Sequence, residues 1–234
     1  MLKPGLRWGL VAATLLVLLL AGYLAWERYY GIGVVERLCA SDGGVAIFDT
    51  AYSNGFLTYD TSDTCCFEEL QRGDFAYLDI DLTQSSSVVF SGLPPGYYRF
   101  TLAELNDPRC DVWKRYSLYT LRAKTAGLPA DRCVAVEALP GRPRGFAYSD
   151  RWTTVLGKYR TKLRLHEFTM SDTESGQVLA RVRDYQFTSK LSSWPDMSDH
   201  GGNADAKCIS TLDYSRTVRG LPSRVLRNPA KKTD

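Results

Sequence analysis

The chain has 234 residues and is nearly charge-balanced, with 29 Lys and Arg against 26 Asp and Glu and a formal net charge of +3. The balance is uneven along the chain. The last stretch concentrates Arg216, Arg219, Arg224, Arg227, Lys231 and Lys232 against Asp234, so the body is mildly acidic, which excludes a broad basic face for nucleic acid.

Residues 8–26 form the first predicted element. Positions 10–22 hold no charge and a single hydroxyl, Thr14. At about 1.5 Å per residue the stretch reaches ~28 Å as a helix, matching a hydrocarbon core of ~30 Å. Trp8 stands at one end and Tyr23, Trp26, Tyr29 and Tyr30 at the other, where headgroups lie. Residues 1–7 carry Lys3 and Arg7 and no acid, so they stay in the cytoplasm and the chain from about Glu27 crosses. Cleavage as a signal peptide is the competing reading. Cutting after Ala25 or Ala21 would put Tyr23 or Leu19 at the −3 position, where a small residue is needed. A retained anchor therefore fits better.

Residues 27–40 read as a juxtamembrane segment with a joint at Gly31–Ile32–Gly33, which together with the aromatics keeps the exported domain close to the bilayer. The roughly 175 residues at 41–215 can bury one core of ordinary size. A first strand is expected at 45–50, a turn-rich stretch at 53–63, and two helical turns at 65–72 stopped by Gly73. Residues 75–82 alternate as a half-buried strand, with Asp79 and Asp81 on its exposed face opposite Ile80 and Leu82. Residues 88–90 and 97–102 flank Pro94–Pro95–Gly96, where Pro95–Gly96 suits a type II turn. Further strands are expected at 116–123, 133–139, 152–159, 163–168, 178–187 and 208–214, separated by Gly and Pro breakers. Short strands with almost no helical periodicity predict a mainly β, sandwich or barrel-like domain. Residues 216–234 are basic and contain Pro222 and Pro229, predicting a disordered tail.

Six cysteines, Cys39, Cys65, Cys66, Cys110, Cys133 and Cys208, all lie beyond the anchor. In an oxidising compartment they predict a disulfide-stapled domain with up to three bridges, whose connectivity spacing does not fix. Adjacent cysteines seldom bond each other, so Cys65 and Cys66 are each expected to meet a separate partner. No C-x₂-C pair points to zinc. No Asn-x-Ser/Thr sequon occurs either, which favours a bacterial inner-membrane protein facing the periplasm over an exported eukaryotic domain.

Two local resemblances add to this reading. Residues 90–100, Phe-Ser-Gly-Leu-Pro-Pro-Gly-Tyr-Tyr-Arg-Phe, resemble the turn-and-strand signature of prealbumin-like or collagen-binding B-type β-sandwich repeats. Residues 36–45 and 176–185 are similar to a family of single-pass, membrane-anchored periplasmic proteins of proteobacteria to which no activity is assigned. That likeness implies location and length, not chemistry.

Candidate chemistry is sparse. His166 alternates onto the Lys/Arg face of its strand and reads as exposed, with no nucleophile beside it. His200–Gly201 followed by Cys208–Ile209 looks like the signature of the L,D-transpeptidases that cross-link peptidoglycan. The resemblance implies Cys208 as thiolate nucleophile and His200 as its base. The match departs where Asp205–Ala206–Lys207 replaces the Ser-His-Gly that should precede the cysteine, and the spacing is short. Asp196, Asp199, Asn203 and Asp205 offer oxygen ligands loosely spaced like a calcium loop, without its closing Glu; a solvated loop explains them better. No cofactor motif is present. The expectation is a non-catalytic binding or assembly protein, held in the inner membrane by residues 8–26 and facing an envelope protein, with no nucleic acid. A cysteine-dependent cell-wall transferase is the alternative.

Overall fold

The computed structural model describes residues 4–59, 66–83, 93–111, 128, 131–156, 162–189, 204–210, 213 and 215–230. In chain order these form α1 (Pro4–Asp42), β1 (Gly44–Ile47), β2 (Ala51–Tyr52), β3 (Gly55–Tyr59), α2 (Phe67–Gln71), β4 (Tyr77–Asp81), β5 (Tyr97–Glu104) and β6 (Arg132–Leu139). After them come β7 (Phe146–Leu156), β8 (Lys162–Asp172), β9 (Val178–Thr188), β10 (Ala206–Lys207), a π-helical turn (Ser215–Arg219), α3 (Leu221–Val225) and β11 (Leu226–Arg227). The protein is thus strand-rich behind one apolar N-terminal helix. The chain makes two compact units: residues 1–44, 152–166 and 183–210 in the smaller, and 45–151, 167–182 and 211–234 in the larger.

In the smaller unit α1 runs unbroken for 39 residues, about 58 Å, nearly twice a hydrocarbon core. Its first half is long and apolar enough to span a membrane, and none of that surface is covered by protein. The expected joint at Gly31 and Gly33 is absent. Gly31 is buried instead, because the ring of Phe187 lies where its Cβ would be. Glycine serves close approach here rather than a break. The distal half of α1 packs Val35 into a cluster with Leu163, Tyr185 and Phe187, flanked by Ile32, Val34 and Leu38.

The strands of the main sheet stand in the order β1-β9-β8-β7-β3-β4-β5-β6. The sheet is mixed. β3 runs parallel to both β4 and β7, while β4, β5 and β6 are antiparallel. β3 falls inside the stretch expected to be turns. Four of its five residues are buried, so no alternation marks it. In β4, Leu78, Asp79 and Ile80 are all buried, which corrects the half-buried reading: this strand is covered on both faces. Helix α2 arises where expected, with Phe67 and Leu70 buried one turn apart and Gly73 ending it at φ +66°. Phe67 meets the ring of Phe100 edge-on at 5.4 Å.

Three further expectations change. Gly96 does not take positive φ, so Pro95–Gly96 is not a type II turn; the Tyr98 hydroxyl instead donates to the Pro94 carbonyl at 2.7 Å. The strand expected at 208–214 is replaced by the earlier β10, which pairs antiparallel with β9. The tail expected to be disordered is ordered through residue 230. Val218, Leu221, Val225 and Leu226 are buried, and β11 pairs in parallel with β2. Proline at the first turn of α3 fits a helix start rather than disorder. The strands expected at 88–90 and 116–123 lie outside the described residues.

Candidate functional site

The densest polar construction in the smaller unit joins α1 to β9 and β10. Cys39 is bonded to Cys208 across 169 residues of sequence. One turn further along α1, the Arg183 guanidinium donates to Asp42 at 2.7 Å and the Tyr185 hydroxyl donates to the same carboxylate at 2.7 Å. Toward the apolar end, Arg28 pairs with Asp205 at 3.1 Å. Asp184, only 1% exposed, accepts the backbone N–H groups of Cys208 and Ile209, each at 3.0 Å, and the Gln186 amide at 2.7 Å. Three donors thus meet the hydrogen-bonding demand of this buried carboxyl. These contacts lock the segment after β10 against β9 and hold the helix to both.

The residues singled out from sequence fare differently. Cys208 is consumed in its bond to Cys39, so in this form it offers no thiolate. His200, Asp196, Asp199 and Asn203 lie outside the described residues. Asp205 is described, and its carboxylate is committed to Arg28 and to the Ser189 N–H at 2.7 Å. Among the described residues no group of three His, Cys, Asp or Glu side chains could hold a metal ion. Cys110 is bonded to Cys133 within a cluster with Ala103 and Ala135. Cys66 is also disulfide-bonded, and Cys65 lies outside the described residues. His166 is not exposed: it is buried and stacks on Trp152 with ring centroids 3.8 Å apart.

The larger unit holds two buried acids that local sequence does not mark as buried. Asp79, expected on the exposed face of its strand, is 2% exposed and receives both Nε and Nη2 of Arg99 at 2.8 Å. Arg99 also lies over the Tyr77 ring, 3.9 Å from its centroid. Burial raises the Tyr77 phenol above its ordinary range, with Arg99 acting against it. Asp79 faces Arg99 directly in the β4–β5 register, an opposite-charge cross-strand pair. Glu69 on α2 is likewise 2% exposed. Burial pushes its carboxyl from 4.5 up to about 8, opposed by Arg72 and by the Ser223 hydroxyl, which donates to Oε1 at 3.3 Å. Its Oε2 has no hydrogen-bond partner. Two carboxyls with different environments are a pattern that acid–base sites share. Here each is instead spoken for by a structural neighbour, Asp79 by an ion pair and Glu69 by the C-terminal segment.

No protein-family model matches the chain, and neither a curated protein nor a solved structure is significantly similar to it.

Proposed function

We propose that this chain is a membrane-anchored periplasmic binding or assembly protein of the bacterial envelope, with no catalysis of its own. The observation that carries the reading is the division of labour along α1. Residues 8–26 present an uncovered apolar surface, whereas residues 28–42 are fastened to β9 and β10 by a disulfide, two ion pairs and a packed cluster. A signal peptide that is removed has no use for a continuous helix built into the fold. Cystine bridges accord with an oxidising compartment, and the bonded state of Cys208 supports a structural role over a nucleophilic one.

The full chain carrying alkaline phosphatase at its C-terminus tests the topology. Phosphatase activity in intact cells, with the protein retained in carbonate-washed membranes, is expected. An enzymatically silent fusion whose fluorescent-protein counterpart glows in the cytosol would overturn the reading. Non-reducing mass mapping addresses the chemistry. A Cys39–Cys208 peptide is expected, and a free Cys208 thiol in a protein that cross-links peptidoglycan would establish the transferase alternative instead.

A further inference from the structure

We infer that the Cys39–Cys208 bridge is a thiol-exchange site: an external dithiol attacks Cys39 Sγ, Cys208 leaves as the thiolate, and Cys110–Cys133 stays closed. The inference goes beyond the envelope reading and does not depend on it. Every residue of the proposed site lies in the smaller unit, where α1 meets β9 and β10.

Access separates the two bridges whose halves are both described. Exchange requires a thiolate to approach one sulfur along the S–S axis. Cys110 and Cys133 are each 0% exposed, so neither sulfur can be approached in that way. Cys39 and Cys208 are both half-buried. Gly43 adjoins them, and a Cβ there would stand 2.8 Å from Cys208 Sγ and 2.7 Å from the Cys39 Cα. The residue that follows the helix therefore has no side chain to lay over the sulfurs. Its N–H closes the helix end, donating to the Leu38 carbonyl at 3.0 Å and to that of Cys39 at 3.2 Å.

The two sulfurs differ in how well each carries negative charge, and that decides which one is attacked. The sulfur whose thiolate is better stabilised leaves more readily. The Tyr185 backbone N–H donates to Cys208 Sγ at 3.4 Å, so a donor is already aimed at the atom that receives the electron pair. Cys39 stands in the last turn of a 39-residue helix, at its negative end. Among the described residues no donor reaches the Cys39 sulfur. Asp42, on the same turn, adds a carboxylate that Arg183 and Tyr185 answer. Asp184 is the opposing charge on the Cys208 side, dispersed by the N–H groups of Cys208 and Ile209 and by the Gln186 amide.

In the first step the thiolate of the reductant bonds to Cys39 Sγ. The Cys39–Cys208 bond breaks, and its electron pair passes to Cys208 Sγ beside the Tyr185 N–H. In the second step the reductant's other sulfur, also as thiolate, attacks its partner sulfur in the mixed disulfide, and Cys39 leaves. The bridge gains two electrons and two protons, and the dithiol becomes a disulfide. The junction stays assembled, because the Cys208 N–H still donates to the Tyr185 carbonyl at 3.2 Å, the Asp205 N–H to that of Phe187 at 2.8 Å, and Arg183 to Asp42. The two thiols therefore remain opposed and can be joined again.

The test exposes the full chain in detergent briefly to reduced glutathione, quenches with N-ethylmaleimide and maps both adducts by mass spectrometry. Glutathione on Cys39 with maleimide on Cys208 is expected in several-fold excess over the reverse arrangement, with the Cys110–Cys133 peptide intact. Glutathione mainly on Cys208, equal adducts on both, or simultaneous opening of Cys110–Cys133 would each overturn the inference. So would a bridge that opens only in denaturing urea. Alkylation rates in protein reduced at this bridge alone give a second reading. Cys208 is expected to reach half its limiting rate at a lower pH than Cys39, and the opposite order overturns the assignment of the leaving sulfur. Reduction by dithiothreitol and by a Cys-x-x-Cys protein both support the exchange, and their rates at equal thiol concentration tell a small-molecule reductant from a protein one. None of these outcomes bears on where residues 8–26 lie, which the phosphatase fusion tests separately.

Discussion

Asp79 and Arg99 show how unequal the two halves of an ion pair can be. The Asp79 side chain is 2% exposed and the Arg99 side chain 33%. Removing the arginine leaves a carboxylate stranded among Leu78, Ile80 and their neighbours, whereas removing the acid lets the guanidinium turn toward water. Arg99→Met should therefore cost about 3 kcal/mol or more, and Asp79→Asn clearly less, as read from urea denaturation midpoints of the two variants. Equal losses would refute the asymmetry. Glu69 gives a pH signature of definite sign. Its folded value of about 8 lies above its ordinary 4.5, so between those limits the unfolded chain is ionised while the folded chain holds a proton. Its favourable contribution is complete below about pH 4.5 and is lost as pH rises toward 8. The melting temperature of the protein should fall across that window, and Glu69→Gln, which keeps the neutral shape, should flatten the fall. Parallel profiles for the two proteins would remove Glu69 as the cause. Neither acid is legible as buried in the sequence. The alternation of Asp79 and Asp81 against Ile80 and Leu82 describes one polar face, and Arg99 is remote in sequence. Glu69 adjoins Glu68 on a short helix, and nothing in the pair itself says that Glu69 is the one that turns inward with Phe67 and Leu70.

Among elements, α1 is legible where composition decides and misleading where packing does. An uncharged apolar run is a signal in itself, but Gly31 and Gly33 look like breakers unless Phe187 is known to need the space. Gly31→Leu should overfill that contact and cost about 1–3 kcal/mol, seen as earlier thermal unfolding in detergent with the helix content of the apolar segment retained. An unchanged melting curve would mean that the helix can slide off Phe187. The C-terminal segment misleads in a different way. Its basic charges and prolines look like a tail, yet Leu221 is fully buried and Val225 with it, because the cations of α3 and β11 can point outward while the apolar positions turn in. Leu221→Ala should lower stability by about 2–5 kcal/mol, measured by denaturant midpoint; a change within error would mark the segment as loosely held. β3 is silent in the sequence for the opposite reason. A five-residue strand buried almost throughout shows no period, and its leading Asn54–Gly55 reads as a turn.

For the whole molecule, the expectation of a β-dominated fold behind an apolar helix holds, since period-two patterns in β5, β8 and β9 and the hydropathy of α1 are local properties. Strand order and the parallel pairings of β3 are not local, and no spacing in the chain announces them. The Cys39–Cys208 bridge closes 169 residues. In the chain-entropy account such a closure contributes about 5 kcal/mol. The double replacement Cys39→Ala/Cys208→Ala should therefore unfold at markedly lower urea. Retention of the full midpoint would show that the helix junction is secured by packing alone.

That bridge also dictates the order of events during biogenesis. If the chain beyond the anchor is threaded across the membrane from its anchored end, Cys39 is the earliest thiol to emerge and Cys208 the latest, with the Cys110–Cys133 pair nested between them. An oxidant that joins thiols in the sequence of their arrival would couple Cys39 to a wrong neighbour. Maturation then calls for a disulfide isomerase, and cells lacking one should accumulate mispaired forms that reductant and a second oxidation can rescue.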